Sequence, residues 1–439
     1  PPDPMAIKEL FYDNRPQVLL DPRASQRIDP RFKFTRNSSG SYVDNDGVLQ
    51  IDEAPAGQPR YSYDPITKEF LGLLVEPART NIARHSTSPT GNWVFSNMVS
   101  TGTSITLPNG QASTTVEYRG ETTDPNSKFI RCPAVTGESL TANVPYTFSV
   151  FLRAGTEDTV AIQLSNVDAS EVTVRSFNLL TGEFIGNAGG SALSLAYHVQ
   201  AYPNGWYRAG ITGVWSNSSS GWQMLIRLGF NSTAIPLTTS FSAWGSQLEQ
   251  GFGMTSLINT PGDASVTRAA DLISYTGPLS NTGSVYIDAR AISAGENDTL
   301  LSLKNSSNDK IDLAYLSNTD TYNSLALIAN YDGTSKTSLP LPVPTTDRER
   351  NIITWGAQNY QYGRDSSRFA PSLSSSVPTG LNKLSIGHDA VDPTKAFNGY
   401  INTVYAWSGE LTPAVAEALV RNDLDPINAD TYSPTGPAG

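Results

Sequence analysis

The chain has few of the residues on which several protein classes depend: one cysteine, three histidines and 16% charged residues in 439 positions. A single cysteine, Cys132, cannot form an intramolecular disulfide, so stability must come from packing or assembly, which fits assembly in a reducing cytoplasm. Cys132 lies in the segment FIRCPAV with no histidine near it in sequence. We interpret it as a buried structural thiol rather than a nucleophile.

Apolar runs and helical patterns are also missing. No stretch of 18 apolar residues is present, and no basic region followed by an apolar one opens the chain, so we expect a soluble protein without membrane insertion or a secretion signal. Because the chain begins at Pro1 rather than Met, we expect trimming or a missing upstream segment. Long amphipathic helices rich in Ala, Glu, Lys and Leu are nearly absent, which argues against an α or regular α/β fold.

What the chain does contain is typical of short strands joined by many turns: 35 Gly, 29 Pro and abundant Ser, Thr and Asn. The sequence therefore predicts an all-β protein, with two or three domains from its length. The net charge of -11 gives the surface a field that repels phosphate backbones and anionic lipid headgroups, which argues against nucleic acid as a partner. Acidity also maintains solubility.

The first part of the chain divides into an arm and a module. Residues 1–31 are rich in proline and predict an N-terminal arm, with a short helical turn around 6–11, that packs either on another protein or on its own domain. Residues 32–85 predict a small β-module. In it, Asp46-Gly47 marks a hairpin turn, Asp64-Pro65 begins a second turn, and residues 70–75 form a buried strand.

Two larger β-domains follow. Residues 86–262 contain alternating runs and predict an antiparallel sandwich or jelly roll; Tyr146, Phe148, Val150 and Leu152 share one face of a strand there, as do Trp222, Met224, Ile226, Leu228 and Phe230. Residues 263–271 predict a linker, residues 272–425 a second β-domain, and residues 426–439 a C-terminal tail. The segment TPAVAEALVRN predicts a helix with Thr412 as its N-cap and Pro413 in the first helical position.

Part of the chain resembles a segment that recurs in bacteriophage structural proteins. Its elements stand here as Phe34-Thr35-Arg36, Tyr42-Val43-Asp44, Gly47, Pro59-Arg60, Tyr63-Asp64-Pro65 and LGLLVEPARTN at 71–81. A second recurring block matches at NGWYR (204–208), AWGSQLEQG (243–251), TSLINT (255–260) and VTRAAD (266–271). In the phage proteins that it resembles, this block closes a carbohydrate-binding-module-like sandwich, so the resemblance spans residues 32–271.

The C-terminal domain resembles the concanavalin A-like or laminin-G-like lectin fold. The resemblance lies in the order LSIG (384–387), FNGYI (397–401), VYAW (404–407) and LTP (411–413) before the helix. It implies a fold and does not fix a function.

Several residues of these motifs are candidates for structural or binding roles. Glu76 and Arg79 flank Pro77 and can pair to hold a turn, whereas the alternative is that Arg79 and Asn81 contact another subunit or a ligand. Exposed Trp and Tyr rings would serve as sugar-stacking platforms. Trp206 and Trp244, like Trp222 and Trp407, fall inside strand patterns, and core packing is favoured for them.

Metal and catalytic motifs are scarce. Asp389 and Asp392 could donate oxygens to Ca²⁺, but two carboxylates are too few for a site, and a solvated turn at Asp392-Pro393 is favoured. No other cofactor is implied. There is no Glu-x-Asp-x-x-Glu run, Gly-x-Ser-x-Gly elbow, phosphate-binding loop or helical His pair. We therefore predict no catalytic residues and no enzymatic activity.

These observations favour a phage virion protein, a tail fibre or other surface appendage, that binds host-surface glycan and performs no chemistry. We expect the N-terminal region to contact other virion proteins, and the resemblance implies a homo-oligomer, with a trimer favoured. One alternative is a purely structural neck, collar, baseplate or capsid-surface protein. The other is a glycan-cleaving enzyme, which would need two acidic residues in one cleft.

Overall fold

The structure, a computed structural model, describes residues 16–88, 93–124, 127–132, 139–190, 192–228, 237–293, 298–316, 324–331, 334–342, 348–356, 359–364, 373–374 and 377–421. The predicted helical turn at 6–11, Phe230 and the tail at 426–439 lie outside these residues. The described chain forms two compact units. Unit 1 comprises Pro1–Arg36, Leu71–Pro77 and Ala270–Gly439, and unit 2 comprises Asn37–Phe70 and Ala78–Ala269.

The described chain is built almost entirely of strands. The first are β1 Val18–Leu20, β2 Phe32–Thr35, β3 Gly40–Val43, β4 Leu49–Ala54, β5 Arg60–Tyr63, β6 Phe70–Val75 and β7 Arg79–Asn81. The next are β8 Val94–Ser96, β9 Met98–Ser100, β10 Ile105–Thr106, β11 Ala112–Ser113, β12 Glu117–Gly120, β13 Phe129–Cys132, β14 Pro145–Ala154, β15 Thr159–Asn166, β16 Val172–Asn178, β17 Glu183–Gly189, β18 Leu193–Tyr202, β19 Trp206–Val214, β20 Trp222–Leu228, β21 Ser240–Gln250 and β22 Val266–Arg268.

The remaining strands follow residue 270. They are β23 Leu272–Thr276, β24 Gly283–Ser293, β25 Thr299–Lys304, β26 Lys310–Leu316, β27 Ser324–Tyr331, β28 Thr334–Pro342, β29 Arg348–Trp355, β30 Asn359–Arg364, β31 Leu373–Ser374, β32 Lys383–Ile386 and β33 Asn398–Trp407. Two helices, α1 Pro22–Ser25 and α2 Pro413–Val420, and a 3₁₀ turn at Pro203–Gly205 complete the described structure. The all-β prediction is confirmed. No described helix is long and apolar enough to span a membrane.

Unit 2 is a sandwich of two six-stranded antiparallel sheets. Their orders are β18-β19-β14-β21-β12-β9 and β17-β16-β15-β20-β13-β8. The inner faces pack together because each long strand alternates apolar and polar residues: Phe148 of β14 and Ile162 and Ile226 of the facing sheet belong to one buried cluster. Cys132 lies in the same cluster, so the prediction of a buried thiol is confirmed.

The outer face of β14 in unit 2 is buried as well. Phe151, on the opposite side of the strand from Phe148, packs in a second cluster with Val43 and Leu49 of the β3–β4 hairpin. The hairpin turns at Gly47, whose φ of +79° requires glycine, and a Cβ there would lie 2.4 Å from the carbonyl oxygen of Pro65. The Asp46-Gly47 prediction is therefore confirmed.

Unit 1 contains two further antiparallel sheets. One has the order β31-β30-β29-β24-β33-β6, with β1 also paired to β33, and the other has the order β2-β23-β32-β25-β26-β27-β28. The helix α2 begins after Thr412 as predicted and packs its apolar side on Tyr286, Ile352 and Tyr405. Within the span predicted as a linker, β22 pairs with β7 in unit 2.

Candidate functional site

Charged residues of the recurring segment are buried in unit 1. Arg36 follows β2 and Asp271 precedes β23, and the antiparallel pairing of these strands brings the two side chains together. Nη1 of Arg36 lies 3.0 Å from Oδ1 of Asp271, and neither side chain is exposed. The backbone N–H of Glu76 donates to Oδ2 of Asp271 at 3.1 Å, and the N–H of Asp271 donates to the Glu76 carbonyl at 3.0 Å. This group therefore joins three separate chain segments within unit 1.

Asn81 acts as a buried brace in unit 2. Its Nδ2 donates to the carbonyls of Ser246 and Ile258 at 3.3 and 2.8 Å, and its Oδ1 accepts from the N–H groups of Ala83 and Leu248 at 2.9 and 3.0 Å. An amide side chain has two N–H donors and one carbonyl acceptor, so these bonds engage both ends of the group. The side chain is completely buried.

Arg79 has a different environment from Glu76 and Asn81. Its side chain is 18% exposed, and its Nε lies 3.9 Å from Oε2 of the fully buried Glu249. Glu76 is itself fully buried in unit 1, and the pairing of Glu76 with Arg79 that the sequence suggests stays a prediction. Of Glu76, Arg79 and Asn81, Arg79 is thus the one that reaches the surface of unit 2.

The carboxylate of Glu249 is held by its own neighbours. Oε1 accepts from Nε2 of Gln247 and from the N–H of Thr255, each at 2.9 Å, and Oε2 accepts from Oγ1 of Thr255 at 2.7 Å. At 3.9 Å the Arg79 Nε is beyond hydrogen-bonding distance. Arg79 therefore balances the charge of Glu249 without completing its hydrogen bonds.

The guanidinium of Arg79 is confined by the backbone around it. Gly251 has a φ of +133°, and a Cβ at this position would lie 2.4 Å from both Cζ and Nη2 of Arg79. Nη1 donates to the carbonyl of Ala78 at 3.2 Å. The Nε is buried, faces Glu249 and makes no hydrogen bond, and among the described residues Nη2 has no acceptor. The Nη2 group of a guanidinium held in one place thus remains available to a ligand.

A pocket of about 380 Å³ opens beside this guanidinium in unit 2. Its polar lining comes from distant parts of the sequence: Arg79, Thr80, Ser139, Tyr146, Gln250 and Thr267. Thr80 and Thr267 are directly opposed in the β7–β22 ladder, and their hydroxyl oxygens are 2.8 Å apart. Ile82 and Ala78 add apolar surface. Arg79 is the sole charged residue among the described lining residues.

The tryptophans proposed for core packing are in the core. Trp206 is completely buried and its Nε1 donates to the carbonyl of Thr106 at 2.8 Å. Trp244 is 3% exposed, and its ring centroid lies 5.3 Å from that of Phe151. Trp222 and Trp407 are also buried. None of these four rings presents a face to solvent for sugar stacking.

An exposed aromatic ring occurs instead at the edge strand β18 of unit 2. Tyr197 is 36% exposed, and the Cζ of Arg175 lies 4.9 Å from the centroid of its ring. Phe184 packs beside it with ring centroids 5.0 Å apart. A tyrosine supported in this way presents an exposed aromatic surface on unit 2. Its sequence context did not distinguish it from core tyrosines.

The two carboxylates considered for Ca²⁺ serve other purposes in unit 1. Asp389 is buried, forms an ion pair with Lys310, and accepts at Oδ1 from the N–H groups of Val391 and Asp392 at 2.7 and 3.2 Å. The Lys310 ammonium and these backbone donors lower the pKa of Asp389 against the raising effect of burial. Oδ1 of Asp392 accepts from Thr394. No group of three or more potential metal ligands occurs among the described residues.

Two acidic side chains of the first sheet in unit 1 are held by cations. Oε1 of Glu349 accepts from the Tyr315 hydroxyl at 3.0 Å, while its Oε2 lies 3.6 Å from Nε of Arg364. Asp288 accepts from Nε of Arg348 at 2.8 Å. Glu349 is paired in register with Ala289, the residue after Asp288, so the two carboxylates project from opposite faces of the sheet.

Comparisons with known proteins give low similarity. No family model and no curated protein matches the chain. A native heptameric SAP-like pentraxin from Limulus polyphemus is 12% identical over 33% of this chain and 72% of its own, with a TM-score of 0.28. Domain 4 of AbnA, an extracellular arabinanase from Geobacillus stearothermophilus solved with arabinotriose, is 15% identical over 34% and 73%, with a TM-score of 0.27.

A phage protein is also similar in part. The enzymatically active domain of tailspike protein 2 from Bacteriophage CBA120 is 15% identical over 34% of this chain and 26% of its own, with a TM-score of 0.29. TM-scores this low assign neither a fold family nor a function to the chain. The sheets of the two units themselves define the fold as all-β.

Sequence reasoning identified Arg79 but none of its partners in the pocket. Ser139, Tyr146, Gln250 and Thr267 belong to four separate segments, and no spacing rule connects them. One signal was available: AWGSQLEQG contains both Gln250 and Gly251, and it belongs to the same resemblance as LGLLVEPARTN. Two motifs that belong to one resemblance are candidates for contact with each other.

Proposed function

We propose that this protein is a structural component of a phage virion, a tail fibre or other surface appendage, and that it binds host-surface glycan without cleaving it. The observation that carries the proposal is the pocket beside Arg79. Support from the sequence is the resemblance of residues 32–271 to phage structural proteins, since both motifs of that resemblance meet at this pocket through Arg79 and Gln250.

The lining of the pocket suits a saccharide. A sugar presents many hydroxyls and a few apolar C–H surfaces, and its site needs polar groups in fixed positions next to apolar ones. Thr80, Thr267, Ser139 and Gln250 supply hydroxyl and amide groups, and Ile82 supplies apolar contact. A volume of about 380 Å³ is in the range of ligand pockets, which starts at roughly 300 Å³.

Most of the lining residues of the pocket lie on or next to paired strands, so their positions are rigid. Thr80 and Thr267 are fixed by the β7–β22 ladder, and Gln250 ends β21, whose neighbour β14 provides Tyr146. Rigid positions lower the entropy lost on binding. Several copies in one appendage would convert weak contacts into firm adhesion. We propose a homotrimer, assembled in the host cytoplasm and attached to other virion proteins through the N-terminal region.

The test is binding of the purified chain to a panel of bacterial cells and their extracted polysaccharides, with release of reducing sugar followed in the same tubes. Gln250→Ala is compared with Gln58→Ala, which removes an exposed glutamine elsewhere in unit 2. Saturable binding without release, weakened several-fold in the first variant and unchanged in the second, supports the proposal. Release of sugar would support the enzyme, and absence of binding across the panel would support a purely structural virion role.

A further inference from the structure

The electrostatic character of the pocket narrows the kind of glycan that it accepts. The chain as a whole carries a net charge of -11. Among the described lining residues, however, the sole charge is the guanidinium of Arg79, and none of these residues is a carboxylate. Hydrogen bonds from a cation to an anion are stronger than those to a neutral hydroxyl, so a guanidinium at the edge of the pocket fits an acidic sugar better than a neutral one.

Glu249 balances the charge of Arg79 but accepts no hydrogen bond from it, so N–H donors of the guanidinium stay unused. The Glu249 carboxylate already accepts three hydrogen bonds from Gln247 and Thr255. It lies behind Arg79, completely buried, whereas the arginine side chain is 18% exposed. One N–H of the guanidinium donates to the Ala78 carbonyl. The Nη2 group of Arg79 therefore has no protein acceptor among the described residues.

The guanidinium is also held in a fixed plane. The absence of a side chain at Gly251 lets the backbone approach Cζ and Nη2, and the Ala78 carbonyl fixes Nη1. The two Nη groups lie in one plane, and such a preorganised pair of N–H donors matches a carboxylate, which can accept two parallel hydrogen bonds.

We propose that the Arg79 pocket binds an acidic saccharide, whose sugar carboxylate pairs with Arg79 while Gln250, Ser139 and Thr267 contact its hydroxyls. The inference rests on the proposed function, because it names the class of glycan that the same site takes. Uronic acids and sialic acids are sugars of this class.

The first experiment uses the wild-type protein alone. Calorimetry compares oligosaccharides of galacturonate, glucuronate and sialic acid with the same oligosaccharides after reduction of each carboxyl to an alcohol, at fixed ionic strength. We expect at least one acidic member to bind about tenfold more tightly than its reduced counterpart, with an affinity that falls as salt is added. A sulfated oligosaccharide that bound as tightly would overturn the preference for a carboxylate.

Variants then assign the preference to one residue. Arg79→Gln removes the charge and the fork, and we expect it to abolish the preference for the acidic member. Arg79→Lys keeps the charge without the fork and should retain part of it. Arg119→Gln is the matched control, since Arg119 is an exposed arginine of unit 2 outside the pocket. Thermal melts of all variants establish that they fold.

The outcomes separate this inference from the proposed function. Equal binding of acidic and reduced glycans, in the wild type and in Arg79→Gln, would overturn the acidic preference and leave glycan binding in place. A preference that persists in Arg79→Gln would overturn the role of Arg79. Absence of binding to every acidic and neutral member would overturn both.

Discussion

The backbone of Gly251 lies so close to the guanidinium of Arg79 that a Cβ at position 251 would be 2.4 Å from Cζ. Real Cβ atoms do not approach other atoms so closely, so a side chain at position 251 would have to displace the guanidinium. The contact joins two segments that are about 170 residues apart in sequence. It places the backbone at residue 251 directly against the cation of the pocket.

The first prediction concerns this contact. We expect Gly251→Ala to lower the free energy of unfolding by about 1–3 kcal/mol, because the new methyl group strains the backbone and displaces the guanidinium. Urea denaturation followed by tryptophan fluorescence measures it. Gly102→Ala is the control, since Gly102 also has a positive φ, +74°, but open space around it. Equal losses in the two variants would mean that the overlap with Arg79 has no energetic effect.

The second prediction concerns the buried ion pair of unit 1. Asp271→Asn removes the buried carboxylate that pairs with the buried guanidinium of Arg36, and we expect a loss of about 3–5 kcal/mol in the free energy of unfolding. Replacing both residues, with Arg36→Met and Asp271→Leu, should restore most of the loss. Asp29→Asn breaks the partly exposed pair with Arg31 and should cost about 1 kcal/mol or less. Similar costs for the buried and exposed pairs would contradict the prediction.

The third prediction concerns Asn81. Asn81→Asp is nearly isosteric, but it replaces the two N–H donors with an oxygen that faces the carbonyls of Ser246 and Ile258. We expect the thermal midpoint to fall, with a loss of about 2–4 kcal/mol for a buried charge and its unsatisfied neighbours. Asn217→Asp, at an exposed position in unit 2, should change stability by less than about 0.5 kcal/mol. An unchanged midpoint in Asn81→Asp would show that the four bonds are not needed.

The fourth prediction concerns pH. Burial lowers the pKa of His198 to about 4, and its Nε2 lies 3.1 Å from the Thr212 hydroxyl. The unfolded chain binds a proton at this histidine below about pH 6.5, whereas the folded chain binds it near pH 4. Acidification between these values therefore favours unfolding. Above about pH 6.5 the histidine is neutral in both states, and the stability lost through its protonation is fully regained.

His198→Gln isolates this contribution, because glutamine is neutral throughout the range and its amide can still bond to Thr212. We expect the stability of the wild type, measured by denaturation at a series of pH values, to decline relative to the variant as the pH falls from about 6.5 to 4. If the free energies of unfolding of the two proteins changed in parallel with pH, the lowered pKa of His198 would be contradicted.

Local patterns were enough to predict several elements of the fold. A short apolar run after a turn identified β6 at Phe70–Val75, and Asp46-Gly47 identified a hairpin because glycine tolerates its positive φ. Thr412-Pro413 identified the start of α2 because proline suits the first helical turn. In each case the physical cause acts within a few residues.

The candidate site was predicted less completely. Arg79 lies in a recognisable motif. No residue near it in sequence, however, predicted that Glu249 would lie behind it and Gly251 beside it. The tryptophans show a similar limit. Strand patterns predicted that Trp206 and Trp244 lie in a core, but they did not indicate that the β3–β4 hairpin of unit 2 contributes to that core.

The sequence by itself determined the all-β class, the hairpin and helix signals and the scarcity of catalytic motifs, because composition, turn chemistry and side-chain alternation act locally. The tertiary structure alone decided that Arg36 pairs with Asp271, that Asn81 is a buried brace and that Arg79 opens on a pocket lined by four distant segments. These relations depend on strand order and register, which place residues far apart in the chain side by side.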